Sequence, residues 1–180
     1  MVDKLKEEYK VDVEWRPFYL RPDTPPEGMP LPDYILRARA SGSEDRLSQM
    51  AATHGMKFVS TERIYNTRLA HEATEYARQR GKVNEFHKVV FRQVYADGLD
   101  ISSWDVLRAA AEEVGLDGAD MQQVVESGAY TDEVAAQVYQ AQQIGVSGVP
   151  TYVINDRYAV VGAQPYEVFK RALAQIMNKE

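Results

Sequence analysis

The stretch Gly145-Val-Ser-Gly-Val-Pro-Thr-Tyr-Val-Ile154 places a proline directly before a predicted strand. Residues 151–154 are β-branched or aromatic, which is typical of a strand. A proline at this point favours a cis peptide bond, because the cis form of an X-Pro bond costs only about 0.5–1 kcal/mol. Such a bond would turn the N–H and C=O of Val149 outward, towards an extended ligand. We therefore expect a ligand-binding turn at Val149, Pro150 and Thr151.

The residues after this strand predict a hairpin and a final helix. Asn155-Asp156 supplies turn residues, and Tyr158–Val161 has the pattern of a returning strand. Pro165 suits the first position of a helix. The apolar stripe of that helix consists of Val168, Phe169, Leu173 and Ile176.

The residues before the Gly145–Ile154 stretch predict a block of helices, several of which end at a glycine. We expect helices at Ser43–His54, Thr67–Arg80 and Val83–Ala96, one with a capping box of Ser102 and Asp105, one from Asp120 to Glu126, and one from Thr131. The α/β regions would then be residues 1–35 and 145–180, with residues 36–144 as a helical insertion.

The N-terminal region predicts a strand and then a loop. Val11, Val13 and Trp15 alternate with polar residues, which indicates a strand from Val11 to Arg16 with one buried face. The following segment, Arg21 to Pro32, contains five prolines and cannot form a helix.

Composition excludes several function classes. The chain has 21 basic and 27 acidic residues, a net charge of -6, with no basic block, so we expect no nucleic-acid partner. Cysteine is absent, which removes disulfides, thiolate nucleophiles and zinc–thiolate sites. We expect no metal site, since His54, His71 and His87 form no helical HxxxH pair. No apolar run is long enough for a membrane span, and the charged first ten residues predict a cytosolic protein.

Several stretches together resemble the DsbA-like thioredoxin-fold family, in particular its FrnE-like branch. They are GVSGVPTYVIN, VVGAQPYEVFKRAL, VDVEWRPFYLRPDTPPEG, NTRLAHEATEYARQRGK and DGLDISSWDVLRAAAEEVGLD. The resemblance implies an α/β fold of thioredoxin type, with residues 1–35 and 145–180 as the thioredoxin-like domain. It also implies an oxidoreductase ancestry.

The chain departs from this family at its beginning. The family normally opens with a strand and a Cys-x-x-Cys at a helix N-terminus, whereas Met1–Tyr9 resembles the tail of that helix. We expect either a truncated or misassigned start of a longer protein, or a fold closed by a strand exchanged between two protomers. Both predict a dimer or an open sheet edge.

Three functions remain open. The first is a family member that is inactive in redox chemistry and binds an extended peptide or thiol ligand at Val149, Pro150 and Thr151. The second is a non-catalytic module that dimerises through the vacated sheet position. The third is a glutathione-dependent protein like the kappa-class transferases and 2-hydroxychromene-2-carboxylate isomerases. Those glutathione-using proteins have an acidic residue where this chain has Gln164, and Gln164 could bind glutathione only by hydrogen bonds. We therefore expect no cofactor, with glutathione as the alternative.

Overall fold

The computed structural model describes residues 2–53 and 55–177. Its elements, in chain order, are α1 (Val2–Tyr9), β1 (Met29–Pro30), α2 (Asp33–Ala40), α3 (Ser43–Thr53), β2 (Arg63–Ile64), α4 (Arg68–Gln79), α5 (Val83–Tyr95), α6 (Trp104–Glu113), α7 (Gly118–Glu126), α8 (Thr131–Gln143), β3 (Thr151–Ile154), β4 (Tyr158–Val161) and α9 (Tyr166–Met177). Within the described ranges the strands form two antiparallel pairs, β1 with β2 and β3 with β4.

The chain divides into two compact units. Residues 1–20 and 136–180 form one, called the α/β unit below, and residues 21–135 form the other, called the helical unit. The sequence analysis places the boundaries at 35/36 and 144/145 instead. Residues 21–35 belong to the helical unit because they are hydrogen-bonded to residues 63–66 of that unit: Asn66 Nδ2 donates to the Thr24 carbonyl (2.6 Å), and β1 pairs with β2.

The α/β unit packs one face of the β3–β4 hairpin against two helices. Leu5 of α1 and Phe169 and Leu173 of α9 form its buried cluster, and Tyr152, Ile154 and Val160 of the hairpin pack against that cluster. The ring of Tyr152 meets Phe169 edge-on, with 4.7 Å between centroids. The predicted hairpin and final helix are confirmed.

The predicted strand from Val11 to Arg16 is wrong. Its side chains do alternate, since Val11, Val13 and Trp15 are partly buried and the residues between them are exposed. However, no strand within the described residues pairs with this segment. An alternation of apolar and polar residues shows only which side of the segment is buried. A strand also needs a neighbouring strand to complete its backbone hydrogen bonds.

The helical unit encloses the larger core. Tyr76, Phe86, Leu107 and Met121, from α4, α5, α6 and α7, are among its fully buried side chains. The helices predicted at residues 67–80, 83–96 and from 131 are confirmed to within one residue at each predicted end. The helix predicted from Ser43 is confirmed to Thr53, and its last residue, His54, lies outside the described residues.

One predicted helix cap and one predicted helix start are wrong. Ser103, and not Ser102, precedes α6, while the hydroxyl of Ser102 donates to Asp100 (2.6 Å). Helix α7 begins earlier than Asp120, because the carboxylate of Asp117 accepts from the N–H groups of Ala119 and Asp120, both at 2.9 Å. In both places two polar residues could cap the helix. The direction from which the preceding residues enter the helix decides which of the two does so. Of the helices described, none is long and apolar enough to cross a lipid bilayer.

Candidate functional site

The turn before β3 contains three of the four predicted site residues. The Val149–Pro150 peptide bond is cis. The Val149 side chain is 52% exposed, and the carbonyl of Pro150 accepts from the N–H of Gly162 (2.8 Å). The hydroxyl of Thr151 donates to the carbonyl of Gly148 (2.7 Å). The turn is thus closed by its own bonds, and Val149 faces solvent.

The outer edge of β3 presents free backbone groups. Pro150 and Gly162 form a hydrogen-bonded position just before the ladder pair Thr151 and Val161. Since hydrogen-bonded and non-bonded pairs alternate in an antiparallel ladder, Thr151 and Val153 turn their N–H and C=O groups away from β4. No described strand pairs with that edge. It therefore offers two donors and two acceptors to an extended segment.

A shallow cavity of about 180 Å³ lies beside this edge. Thr151, Val153, Ala159 and Val161 line it from the hairpin face that points away from α9, and Ile144 and Val146 line it from the segment after α8. Small-molecule pockets usually measure about 300–1,000 Å³. The cavity is therefore suited to one side chain rather than to a whole cofactor. Of the four predicted site residues, only Thr151 contributes to it.

Gln164 lies close to the hairpin but is committed to its own loop. Its Nε2 donates to the Val161 carbonyl (3.0 Å), and its backbone N–H donates to Gly162 (2.9 Å). Val161 is the ladder partner of Thr151, so the fold brings Gln164 within one hydrogen bond of the predicted turn. It does not line the cavity.

The sequence analysis missed the apolar face of the hairpin. Val153 and Val161 are 43% and 61% exposed, on the face opposite Tyr152 and Val160. A signal for this face exists in the sequence, because residues 151–154 and 158–161 carry no charge at all. Strands that are apolar at every position are typical of sheets covered on both faces.

The described histidines belong to the helical unit, whereas the turn before β3 belongs to the α/β unit. His71 belongs to α4 and His87 to α5, both in the helical unit, and His54 lies outside the described residues. Burial lowers the pKa of His87 to about 4. Near the hairpin, burial raises the pKa of Tyr152. Over residues 2–53 and 55–177, no three acidic or histidine side chains gather as metal ligands would.

Sequence comparisons connect the whole chain with one family. The model of the DSBA-like thioredoxin domain matches residues 1–174. The uncharacterized protein YwbO of Bacillus subtilis is 30% identical over 173 residues, which cover 94% of this chain and 84% of that protein.

Structural comparisons agree. A probable DsbA oxidoreductase from Streptomyces coelicolor superposes with a TM-score of 0.82 at 29% identity, covering 92% of this chain and 75% of the other. A 2-hydroxychromene-2-carboxylate isomerase superposes with a TM-score of 0.80 at 19% identity, covering 99% and 87%. At that identity the isomerase supports a shared fold and nothing further.

Proposed function

Because the chain belongs to the DSBA-like thioredoxin domain family but has no cysteine among its 180 residues, we propose that it is a ligand-binding member that does not itself exchange disulfides. A thiolate is the nucleophile of thiol–disulfide exchange, and this chain contains none. The proposed ligand is an extended peptide, with or without a thiol of its own. It would bind beside Val149, Pro150 and Thr151.

The free edge of β3 is the observation that carries this proposal. Its outward N–H and C=O groups at Thr151 and Val153 can pair with an added strand, as in other proteins that bind peptides at a sheet edge. Natural edge strands are commonly protected by charged side chains. Neither β3 nor β4 carries a charge, so nothing on the hairpin strands repels such a peptide.

The cavity adds a side-chain preference. A strand paired with β3 would direct alternate side chains to the face lined by Val153 and Val161. One apolar side chain of the ligand fills the cavity there, and the residues on either side of it remain in solvent. The preferred ligand is therefore extended, with an apolar residue flanked by polar ones.

The test uses a short capped peptide that alternates serine and valine. Hydrogen exchange followed by NMR should show slower exchange at the amides of Thr151 and Val153 when the peptide is added. The same peptide with N-methylated valines, which lacks those donors, should bind at least about tenfold more weakly, a loss of about 1.4 kcal/mol.

Two proline variants make the edge assignment specific. Val153→Pro removes an N–H that points away from β4 and should abolish binding while keeping the hairpin. Ala159→Pro is the matched control, because Ala159 is the ladder partner of Val153 and its N–H points to the other edge. Unchanged binding by the Val153→Pro variant, with both variants folded by circular dichroism, contradicts the proposal.

The homodimeric module is the second candidate. The observation that favours it is the alternating burial along Val11–Arg16, where Val11, Val13 and Trp15 are partly buried and the residues between them are exposed. In this case the segment pairs with a sheet edge of a second copy, and sedimentation shows a dimer that Val153→Pro or Ala159→Pro disrupts.

Glutathione binding and a cytosolic location are the remaining proposals. The Gln164 amide is uncharged and already donates to Val161, so we expect millimolar glutathione to leave the melting temperature unchanged. A clear rise would favour the glutathione-dependent function instead. Cell fractionation tests the cytosolic location.

A further inference from the structure

Helices α2 and α3 are held differently from the other helices of their unit. They contain no buried residue, whereas α4 alone contains six. No apolar residue of α2 or α3 packs against the core of the helical unit. The two helices have 8 and 11 residues, and isolated helices shorter than about 12–15 residues are marginal in water without an apolar face packed on the protein. The α2–α3 pair therefore depends on other contacts.

Side-chain contacts between this pair and the rest of the chain are few. Arg39 of α2 donates from Nη2 to the carbonyl of Thr61, which lies just before β2. The guanidinium of Arg21 lies 5.6 Å from the centre of the Tyr34 ring. Within the described part of the chain, no other hydrogen bond, ion pair or ring contact joins residues 33–53 to a residue outside 32–56. The bond from Arg39 is thus the main polar link between the pair and the folded core.

Arg39 also joins the two helices to each other. Its guanidinium forms an ion pair with the carboxylate of Glu44 on α3. The side chains of Arg39 and Glu44 are only 24% and 31% exposed, so solvent screens this pair less than it screens a fully exposed one. One side chain therefore connects α2, α3 and the Thr61 carbonyl.

We propose that residues 33–53 unfold and refold as one unit while helices α4–α7 stay folded, and that Arg39 controls this opening. Segments with few buried apolar contacts are those that open locally in folded proteins. Release of the Arg39 side chain removes the bond to Thr61 and the pair with Glu44 together, and neither helix is long enough to persist alone. The core of the helical unit keeps its contacts, because the pair contributes no buried residue to it. The opening does not depend on a ligand at the β3 edge.

Hydrogen exchange of the full chain, followed by NMR at increasing urea concentrations, tests the proposal. The helical amides of α2 and α3 should exchange at least about a hundredfold faster than those of α4 around Tyr76. Their rates should change little with urea, because the opening exposes little surface. They should still exchange more slowly than amides of an unfolded chain, because Arg39 holds the closed state. Rates equal to those of α4, or equal to those of an unfolded chain, overturn the proposal.

Two arginine variants of α2 test the role of Arg39. Arg39→Met should accelerate exchange in both helices about tenfold or more, and it should leave exchange in α4 and the melting temperature unchanged. Arg37→Met is the matched control, because the Arg37 side chain is exposed on the same helix and has no hydrogen bond or ion pair within the described residues. Arginine and methionine also have similar helix propensities, so this variant should alter the rates by less than about twofold.

Two results with these variants contradict the proposal. The first is an effect of Arg39→Met no larger than that of Arg37→Met, which would show that the Arg39 contacts do not hold the pair. The second is an equal acceleration of exchange in α4 and in α2–α3 by Arg39→Met, which would show that the pair opens only when the core unfolds.

Discussion

The imidazole of His87 lies against the ring of Phe91 on α5, with 4.3 Å between ring centroids. Burial disfavours the charged form and lowers the pKa of His87 from 6.5 to about 4. The folded chain therefore keeps this side chain neutral under conditions in which the unfolded chain protonates it. This difference in the protonation of His87 makes the free energy of unfolding dependent on pH.

The expected result is a loss of stability on acidification. The pKa of His87 is lower in the folded than in the unfolded chain, so its contribution is complete above pH 6.5 and is lost as the pH falls to about 4. With about 1.4 kcal/mol per pKa unit, the loss approaches about 3 kcal/mol. Urea unfolding between pH 7 and pH 4 measures it, and His87→Gln should remove this part of the dependence. An NMR titration of His87 with a midpoint near 6.5 would contradict the prediction.

At Gly118, α7 approaches α6 closely. A Cβ at this position would lie 3.0 Å from the Cα, Cβ and carbonyl oxygen of Arg108. Two of these three atoms belong to the backbone of α6, which yields less readily than a flexible side chain, so a methyl group here has to displace Arg108 by a few tenths of an ångström.

Gly118→Ala should therefore destabilise the protein by about 1–3 kcal/mol in thermal or urea unfolding. Gly148→Ala is the control, because nothing lies within 4 Å of its added Cβ and its φ is not positive. That variant should be neutral or slightly more stable. Equal losses in both variants would show that the helix contact at Gly118 has no special cost.

Helix α4 buries two carboxylates. Glu72 and Glu75 are 1% and 2% exposed. Arg68 Nη1 donates to both oxygens of Glu72 (2.9 and 3.1 Å), and Arg78 Nε donates to Glu75 (2.8 Å). Thr131, the first residue of α8, also donates to Glu72 (3.2 Å). These bonds compensate for the burial of charge and fix where α4 and the start of α8 meet.

Removing Arg68 from its ion pair with Glu72 should destabilise the protein. Arg68→Met should lower the unfolding free energy by about 3 kcal/mol, at the low end for a broken buried pair, because Thr131 still donates to Glu72. The double variant Arg68→Met, Glu72→Met should recover most of that loss, since no charge is then buried. Urea unfolding of both variants measures this difference, and a double variant as unstable as the single one would refute the explanation.

This chain combines the fold of the DSBA-like thioredoxin domain family with a sequence that contains no cysteine. No cysteine occurs among the 180 residues, so this chain cannot form the mixed disulfide through which exchange proceeds. The ligand binding that we propose at the β3 edge depends on backbone groups and does not need a thiol. The two properties can therefore be measured separately.

Disulfide reductase activity should be absent from this chain. Reduction of insulin by an added dithiol should proceed at the uncatalysed rate in its presence, with a family member that contains Cys-x-x-Cys as the positive control. The same protein sample should still bind the serine–valine peptide. A clear acceleration of insulin reduction would show a reactive group that these residues do not explain.

Much of this architecture is predictable from the sequence because its signals are local. Glycines end the helices α4, α5 and α6, apolar periodicity marks their buried faces, and the hairpin around Asn155-Asp156 follows from strand and turn residues. Both turn residues have positive φ, which asparagine and aspartate tolerate. The family was also identifiable from the sequence, since its motifs extend along nearly the whole chain.

The sequence by itself determined the helices, the hairpin, the family and the absence of thiol chemistry, because these depend on residue type and on near neighbours. Only the tertiary structure decided that Val11–Arg16 is not a strand, that residues 21–35 belong to the helical unit, and that no described strand pairs with the outer edge of β3, beside the cavity. It also decided that Glu72 is buried and that no residue of α2 or α3 is buried. Strand pairing and burial depend on contacts with residues that are distant in the chain. The local sequence pattern does not specify which distant residues make those contacts.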